Sequence, residues 1–389
     1  MSHTKIALNP DLRKLRDEGF DLEVRANHLL ISGMPYVTPT KQVAFGTIVM
    51  ALNMVGDEVG SPPDHTAKFI GECPCSALGV PLVIVTGSGN EDFGRGTVSF
   101  HQLSAKPREP DMTYYDKVVR YEHSIGDAAR VIKPDATGHT LSVKEMKADE
   151  SVFHYADNGV ARAGLFEFAR RLELDKIAII GLGGTGAYVL DLVAKTPVKE
   201  IHIFDGDILL NHNAFRAPGA PTLDELRTPP LKVDYFSAIY GRMHRGIHPH
   251  PEFISEKNLV LLDGIGFAFL CFDDAPAKKV LIERLETGDV RFIDVGIQIL
   301  KKQAGLTGSL RVTTSTPQKR NHFRRQVPLD LNDIPNEYDQ NIQIADMNAL
   351  NAALAVIRWK RLMGYYADLQ HEHQSRYTID GNVIGNEEF

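Results

Sequence analysis

Four glycines lie directly between an apolar, β-branched run and a segment of helical character. The run is Lys176–Ile180, the helical segment is Ala187–Lys195, and the glycines are Gly181, Gly183, Gly184 and Gly186. A chain that turns sharply from a strand into a helix with so little side-chain bulk can bring its backbone close to phosphates, and the helix N-terminus attracts negative charge. The spacing predicts a site for a dinucleotide or for ATP and does not decide between them. The alternative is a tight strand–helix turn without a ligand.

Two aspartates follow at the end of the next predicted strand, Glu200–Phe204. Asp205 and Asp207 lie 24 and 26 residues after Gly181. An acidic side chain at this separation can accept hydrogen bonds from the hydroxyls of a ribose. Both aspartates are therefore candidate ligands of a nucleotide.

The stretch after that strand resembles the ThiF/MoeB/E1 adenylyltransferases. The run FDGDILLNHNAFR carries Asp207 and then Asn213 and Arg216, which match an Asn-x-x-Arg pattern of that family. Lys232 in PPLKVDYF matches a lysine at the start of the next helix, and Cys271-Phe272-Asp273-Asp274 matches a C-x-D-[ND] signature after an apolar strand. SLRVTT and IADMNALNAALAVIRWK resemble later elements. The resemblance covers roughly residues 170–360, and the ordered set is more specific than the glycine loop alone.

The resemblance implies a role for each residue in adenylation, in which a carboxylate attacks the α-phosphate of ATP. Arg216 and Lys232 are expected to face the phosphate oxygens, where negative charge accumulates. Asp273 is expected to hold Mg²⁺, Asp207 the ribose, and Asn213 the sugar or a phosphate. Simpler alternatives exist for single residues: a helix cap for Asn213 or Asp273, a surface ion pair for Arg216, and a solvated position for Lys232.

Cysteines and arginines mark where the chain departs from the family or remains ambiguous. No cysteine follows Cys271, and Cys271 itself is expected to be a packing residue. We therefore expect the reaction to stop at the acyl-adenylate or to pass it to an external, E2-like acceptor; a thioester could form only through Cys73 or Cys75. Some family members borrow an arginine from a neighbouring subunit. Arg162 is the candidate, with Arg170 and Arg171 as rivals, and that role would require a homodimer.

The elements that must position these residues form the second of two expected domains. In residues 150–389, short apolar strands alternate with helical segments, which predicts an α/β, Rossmann-like, mainly parallel sheet flanked by helices, with a C-terminal helical extension. A polar, weakly periodic segment, residues 134–150, is the candidate linker. Residues 1–145 predict a separate α+β domain, and only analogy suggests that it binds a partner. Within it, the glycines at 87 and 89 and those at 94 and 96 predict turns or a mobile loop; after the linker, the spacing of residues 153–172 predicts a helix.

Composition excludes several classes of function. The net charge of −7 predicts no general affinity for nucleic acid or for an anionic membrane surface. Three cysteines cannot build a disulfide framework, and no uninterrupted apolar stretch is long enough to span a membrane, so a cytoplasmic protein is expected. Whether Cys73 and Cys75 bind a metal with His65, Glu72 and His101 stays open.

The combined expectation is an ATP- and Mg²⁺-dependent enzyme that adenylates a C-terminal carboxylate. The substrate would be a peptide or a ubiquitin-like protein in a bacterial ubiquitin-like or sulfur-carrier-type pathway. Two alternatives belong to other classes: a nucleotide-binding scaffold with little turnover, and an NAD-linked oxidoreductase. The second would leave Asn213 and Arg216 without a function.

Overall fold

The chain contains two β-sheets with helices packed against them. The computed structural model describes residues 6, 9–55, 58–109, 111–141, 143, 145–149, 151–163, 165–327, 329 and 342–386. Two compact units are present: Met1–Lys144 with Asp157–Leu165, and Glu145–Ala156 with Phe166–Phe389. Among the described residues, no helix combines the length and the apolar character needed to cross a membrane.

The first unit is built on a six-stranded antiparallel sheet. Its strands are β1 (Asp21–Arg25), β2 (His28–Val37), β3 (Val43–Ala51), β6 (Thr66–Ile70), β7 (Val85–Asp92) and β8 (Thr97–Ser104). They neighbour one another in the order β1-β2-β3-β6-β8-β7, and β4 (Met54–Val55) pairs separately with β5 (Glu58–Val59). The helices are α1 (Pro10–Asp17), α2 (Tyr114–Ile132) and α3 (Asn158–Ala163).

Helix α2 covers this sheet because its apolar residues repeat at helical spacing. Tyr114, Val118, Tyr121 and Ile125 are all fully buried and share one core cluster with residues of β2. The helix begins where the side chain of Thr113 accepts a hydrogen bond from the backbone N–H of Asp116.

The second unit contains an eight-stranded sheet with helices on both faces. Its strands are β9 (Lys176–Ile180), β10 (Glu200–Phe204), β11 (Ile247–His250), β12 (Phe267–Leu270), β13 (Arg291–Lys302), β14 (Gly305–Ser315), β15 (Gln374–Thr378) and β16 (Val383–Gly385). Its helices are α4 (Phe166–Arg170), α5 (Gly184–Val193), α6 (Asn211–Ala214), α7 (Leu223–Arg227), α8 (Lys232–Tyr240), α9 (Ala275–Thr287), α10 (Phe323–Gln326) and α11 (Ala345–Leu362), with a 3₁₀ turn at Leu259–Leu262.

Alternate residues of β9 face two different cores. Ile177 and Ile179 pack in a cluster with residues of α5, α8 and α11, whereas Ala178 and Ile180 pack in a cluster with residues of α9 and α10. Successive side chains of a strand point to opposite faces, and a parallel strand covered on both faces needs apolar residues throughout. The uninterrupted apolar run after Lys176 therefore indicates a central strand.

The sheet agrees with the α/β expectation in broad terms but is only partly parallel. Strands β11, β10, β9, β12 and β13 are parallel neighbours in that order. Strands β14, β15 and β16 then extend the sheet in antiparallel fashion. The direction changes because β13 and β14 form a hairpin: only two residues separate them, whereas a parallel connection needs a dozen or more.

Two local expectations were wrong. Residues 87–90 do not form a turn but lie within β7, whereas the turn expected at residues 94–96 is present, because the chain reverses between Asp92 and Thr97. The expected helix over residues 153–172 is replaced by the short helices α3 and α4. The sequence there contains Gly159 and Gly164, and a glycine inside a helix costs about 1 kcal/mol relative to alanine.

Candidate functional site

A cavity of about 940 Å³ opens at the carboxyl ends of the parallel strands in the second unit. The segments that follow β9, β10 and β12 all contribute to its lining. Strands β10 and β11 lie on one side of β9, and β12 and β13 lie on the other, so the chain order reverses between β9 and β12. Open α/β sheets bind ligands at this reversal point, and the volume lies in the upper part of the range for small-molecule sites.

The glycine loop lines this cavity, and its glycines are needed for different reasons. Gly181 has a φ of +88°, and a Cβ added there would lie 2.6 Å from the carbonyl oxygen of Cys271. A Cβ on Gly184 would lie 1.9 Å from Asn348 Nδ2, and one on Gly186 would lie 1.8 Å from the oxygen of Gly181. A Cβ added at Gly183 would have no neighbour within 4 Å, so a ligand can approach the backbone at the start of α5. Of the four predicted glycines, Gly186 alone does not line the cavity.

Asp205 holds the glycine loop in place. Its side chain is 5% exposed. Oδ2 accepts a hydrogen bond from the backbone N–H of Leu182 at 2.7 Å, and Oδ1 accepts one from the N–H of Asp207 at 2.9 Å. Both carboxylate oxygens are thus engaged by backbone donors, a strong kind of hydrogen bond. Asp205 therefore acts on a ligand through the loop, and its predicted direct contact with a ribose stays a prediction.

Lys232 and Asp207 form an ion pair at the edge of the cavity. Lys232 is the first residue of α8 and is buried, not solvated. Its Nζ donates to Asp207 Oδ2 at 2.6 Å and lies 3.4 Å from Asp205 Oδ1. The Asp207 side chain is 57% exposed. Asp207 can therefore meet a ligand, whereas Lys232 would have to share its charge between two carboxylates and a phosphate.

Arg216 lies beside the same cavity and is fixed through its neighbours. Buried Asn213 accepts a hydrogen bond from the N–H of Leu210 at 2.8 Å, which closes the turn that precedes Arg216. Among the described residues, no group hydrogen-bonds to the buried Nε of Arg216. Burial lowers the pKa of Arg216, while the charges of Asp273 and Asp207 oppose that shift. The arrangement places a cation with open hydrogen-bonding capacity against the cavity.

Asp273 and Asp274 have separate roles. Asp274 is the N-cap of α9 and accepts a hydrogen bond from the N–H of Ala277 at 3.0 Å. Asp273 is exposed and lines the cavity, so the alternative that it caps this helix is wrong. The carboxylate expected to hold Mg²⁺ lies where a ligand can reach it. Among the described residues, no cluster of three or more His, Cys, Asp or Glu side chains could hold a metal ion, and this holds for the surroundings of Cys73 and Cys75 as well.

Asn348 on α11 joins three parts of the site, and the sequence interpretation did not identify it. Its Nδ2 donates to the carbonyl oxygen of Arg216 at 3.0 Å, and its Oδ1 accepts from Thr185 Oγ1 at 3.0 Å. Asn348 is fully buried. A polar amide on the apolar face of a predicted helix was the available signal, because buried amides need hydrogen-bond partners.

A cationic cluster at the other side of the cavity was also missed. Lys278 Nζ lies 2.6 Å from Asp294 Oδ1, and Arg311 Nη2 lies 2.7 Å from Asp294 Oδ2. Asp294 is fully buried, whereas Lys278 and Arg311 both line the cavity, as does Arg376 of β15. Asp294 occupies β13 without any motif around it, so only the folded sheet reveals the cluster.

The remaining candidate residues lie elsewhere or are inert. Arg162 lies in α3 of the first unit, but its side chain is outside the described residues, so its contribution to a partner's site stays a prediction. Burial raises the pKa of the Cys271 thiol far above its usual range, with Asp294 adding to the shift. Burial also raises the pKa of Cys75. Neither thiol is prepared to act as a thiolate nucleophile.

Comparisons with known proteins give one family match and several solved structures of low similarity. Residues 10–158 match a family described as a domain of unknown function (DUF6791). No curated protein matches the chain. The crystal structure of PaaA is 15% identical with a TM-score of 0.46, over 71% of this chain and 95% of that one. E. coli MccB with MccA is 14% identical with a TM-score of 0.46, over 79% and 96%. E. coli MccB with ATP is 16% identical with a TM-score of 0.43, over 58% and 67%.

Proposed function

We propose that the second unit is an adenylyltransferase of the ThiF/MoeB/E1 type, with a Rossmann-like nucleotide site. It binds ATP in the cavity and transfers AMP to a C-terminal carboxylate of a peptide or a ubiquitin-like protein. One observation carries the proposal. A single cavity collects the glycine loop, Asp207, Arg216, Lys232 and Asp273, which come from four separate segments of the chain. Each of these residues was a candidate for the same reaction.

The site suits phosphates because its donors converge without side-chain obstruction. Gly183 leaves the start of α5 open, and the dipole of that helix favours an anion there. Arg216 has a buried Nε without a partner among the described residues, so a phosphate oxygen can complete its hydrogen bonding. An oxidoreductase that uses NAD has no need of a free arginine at this point.

The reaction that fits these groups is an in-line displacement at the α-phosphorus. A carboxylate oxygen forms a bond to phosphorus as the bond between phosphorus and the β-phosphate oxygen breaks, and pyrophosphate leaves. The entering and leaving oxygens share negative charge in the transition state, which Arg216 and the N–H groups at the start of α5 stabilise. Lys232 contributes by fixing Asp207 for the ribose, and Asp205 contributes by fixing the loop.

The exposed carboxylate of Asp273 is suited to Mg²⁺. This ion is usually held by one or two carboxylates together with phosphates and waters, and it neutralises charge on the leaving phosphates. Asp273 lines the cavity and lies close enough to Arg216 to influence its pKa. A homodimer that supplies Arg162 and an E2-like acceptor for the acyl group complete the proposal.

Exchange of labelled pyrophosphate into ATP tests the proposal. The full chain is incubated with MgATP and a panel of peptides and small proteins that end in a free Gly-Gly carboxylate. We expect exchange that needs both Mg²⁺ and the carboxylate, and a decrease of about 100-fold or more in Asp273→Ala.

Asp263→Ala is the matched control, since Asp263 is an exposed aspartate that pairs with Arg284 and does not line the cavity. It should exchange like the unmodified chain. The absence of exchange with every member of the panel contradicts the proposal, as does undiminished exchange in Asp273→Ala. Binding of ATP without any exchange would instead support the scaffold alternative.

A further inference from the structure

Two arginines stand directly opposite each other on neighbouring strands at the cavity. In the registers of the sheet, Gly296 of β13 pairs with Arg311 of β14, which pairs with Arg376 of β15, which pairs with Gly385 of β16. Like charges directly opposite each other destabilise an antiparallel pair. Both arginines line the cavity, so a group inside the cavity can offset this repulsion.

The two arginines differ in how their charges are balanced. Arg311 pairs with Asp294 at 2.7 Å and donates to Thr313 Oγ1 at 2.8 Å. Among the described residues, no carboxylate pairs with Arg376, and its Nε is buried without a hydrogen-bond partner. Lys278 also forms an ion pair with Asp294. Two cations, Lys278 and Arg311, therefore share the carboxylate of Asp294, and Arg376 has no carboxylate partner among the described residues.

A glycine lies on the outer side of each arginine, and Gly385, beside Arg376, leaves room for a ligand. An added Cβ at Gly296 would lie 2.7 Å from Arg311 Nη2, so the guanidinium group lies across that glycine. An added Cβ at Gly385 would meet nothing within 4 Å. A glycine within a strand often marks a place where a ligand approaches the backbone closely.

The opposite end of the cavity has the reverse charge balance. Three carboxylates, those of Asp205, Asp207 and Asp273, line it near the glycine loop against two cations, Arg216 and Lys232. That end suits a nucleotide with its cation. The positive end, defined by Lys278, Arg311 and Arg376, suits an anion that is not part of the nucleotide.

We propose that the Arg311–Arg376 pair binds an acidic side chain of the polypeptide substrate. The inference rests on the proposed function, because the reacting carboxylate must lie at the phosphates beside the glycine loop. Neighbouring strands are about 4.8 Å apart, so β14 and β15 lie about 14 and 19 Å from β9 across the sheet. An extended chain covers about 3.4 Å per residue. The acidic residue therefore lies about four to six residues before the C-terminus.

Calorimetric titration with peptide probes tests this assignment. The probes are octapeptides that end in a free Gly-Gly carboxylate and carry a single Glu at one of positions two to six before the end. Each has a twin with Gln in place of Glu. We expect the unmodified chain to prefer Glu over Gln by about five- to tenfold at one or two adjacent positions, because charge-assisted, bidentate bonds to arginine are strong.

Arg376→Gln should reduce that preference to less than twofold while leaving ATP affinity unchanged. Arg291→Gln is the control on β13, since Arg291 does not line the cavity, and it should keep the preference. Melting temperatures of both variants establish that they are folded. Equal affinity for Glu and Gln probes at every position overturns the assignment, as does a preference that survives in Arg376→Gln. So does a loss of ATP affinity in Arg376→Gln.

This experiment separates the inference from the proposed function. The peptides are titrated without nucleotide, so a Glu preference that depends on Arg376 supports the anion site even if pyrophosphate exchange fails. Exchange that proceeds without any such preference leaves adenylation intact and removes the Arg311–Arg376 site.

Discussion

Replacing Asp205 by alanine should destabilise the second unit by about 3–5 kcal/mol. The change removes the acceptor of two backbone N–H groups, those of Leu182 and Asp207, and takes one of two carboxylates away from buried Lys232. A buried donor left without a partner costs about 1–3 kcal/mol, and breaking a buried ion pair costs about 3–5 kcal/mol. The losses overlap because Lys232 keeps its 2.6 Å contact with Asp207, so their sum is an upper bound.

Asparagine at position 205 should cause about half of this loss. Its amide oxygen can accept one of the two backbone hydrogen bonds, but its NH₂ group cannot accept the other and presents a donor towards Lys232. We expect a decrease of about 1.5–3 kcal/mol. The matched control is Asp263→Asn, because the Asp263 side chain is exposed and its ion pair with Arg284 should contribute less than about 1 kcal/mol.

Urea unfolding followed by tryptophan fluorescence measures these free energies. Trp359 is the only tryptophan of the chain and is fully buried in a core cluster of the second unit, so its emission reports the unfolding of that unit. The midpoints should fall in the order control, Asp205→Asn, Asp205→Ala. If Asp205→Ala lowers the free energy of unfolding by no more than Asp263→Asn, then Asp205 does not hold the glycine loop.

Three further predictions concern pH, packing and thiol reactivity. Burial lowers the pKa of five histidines of the second unit below 6.5: His202, His244, His250, His322 and His373. As the pH falls through about 6.5, these histidines are protonated in the unfolded chain before they are protonated in the folded one. The stability that they contribute is therefore fully present above that pH and decreases below it, by up to about 1.4 kcal/mol per pH unit for each histidine. Equal urea midpoints at pH 7.5 and pH 5.5 would contradict this. Gly184→Ala should lower the melting temperature by several degrees because its Cβ meets Asn348 at 1.9 Å, and the double variant with Asn348→Ala should restore part of that loss. Cys271 is half-buried and should react with iodoacetamide at pH 8 far more slowly than in the unfolded chain, as its raised thiol pKa implies; labelling at the unfolded rate would contradict that raised pKa.

The glycine loop could be predicted from the sequence because its requirements are local. Gly181 needs a positive φ next to a strand end, and Gly183 opens the helix start, so both are visible in a run of a few residues. The central strand β9 could be predicted equally well, since a strand buried on both faces is apolar throughout. These features depend on backbone geometry and on burial, which neighbouring residues determine.

The partners of the site residues could not be predicted because they come from distant parts of the chain. Asn348 meets Thr185 across 163 residues, and Lys232 meets Asp207 across 25. The sequence predicted a ribose contact for Asp205, which stays a prediction, and gave no sign that both of its oxygens accept hydrogen bonds from backbone N–H groups. No spacing rule reports such contacts, which follow from how the helices pack on the sheet.

The antiparallel strands β14 to β16 and the arginine pair could not be predicted from the sequence, for a related reason. Arg311 and Arg376 become neighbours only because β15 pairs with β14, at a register that the order of residues does not specify. A similar pairing of edge strand β11 with β10 stacks His202 between His248 and His250, a contact that the order of residues does not reveal. Strand register therefore determines much of the chemistry of this sheet.

Calorimetric titration of the full chain with MgATP and with NAD tests the central claim most directly. The account predicts that MgATP binds at one site per chain, that NAD does not compete with it, and that Arg216→Gln weakens ATP binding about tenfold or more while Asp263→Asn does not. Tight binding of NAD in place of ATP, or an ATP affinity that is the same in Arg216→Gln as in the unmodified chain, would contradict the claim that this cavity is an ATP site.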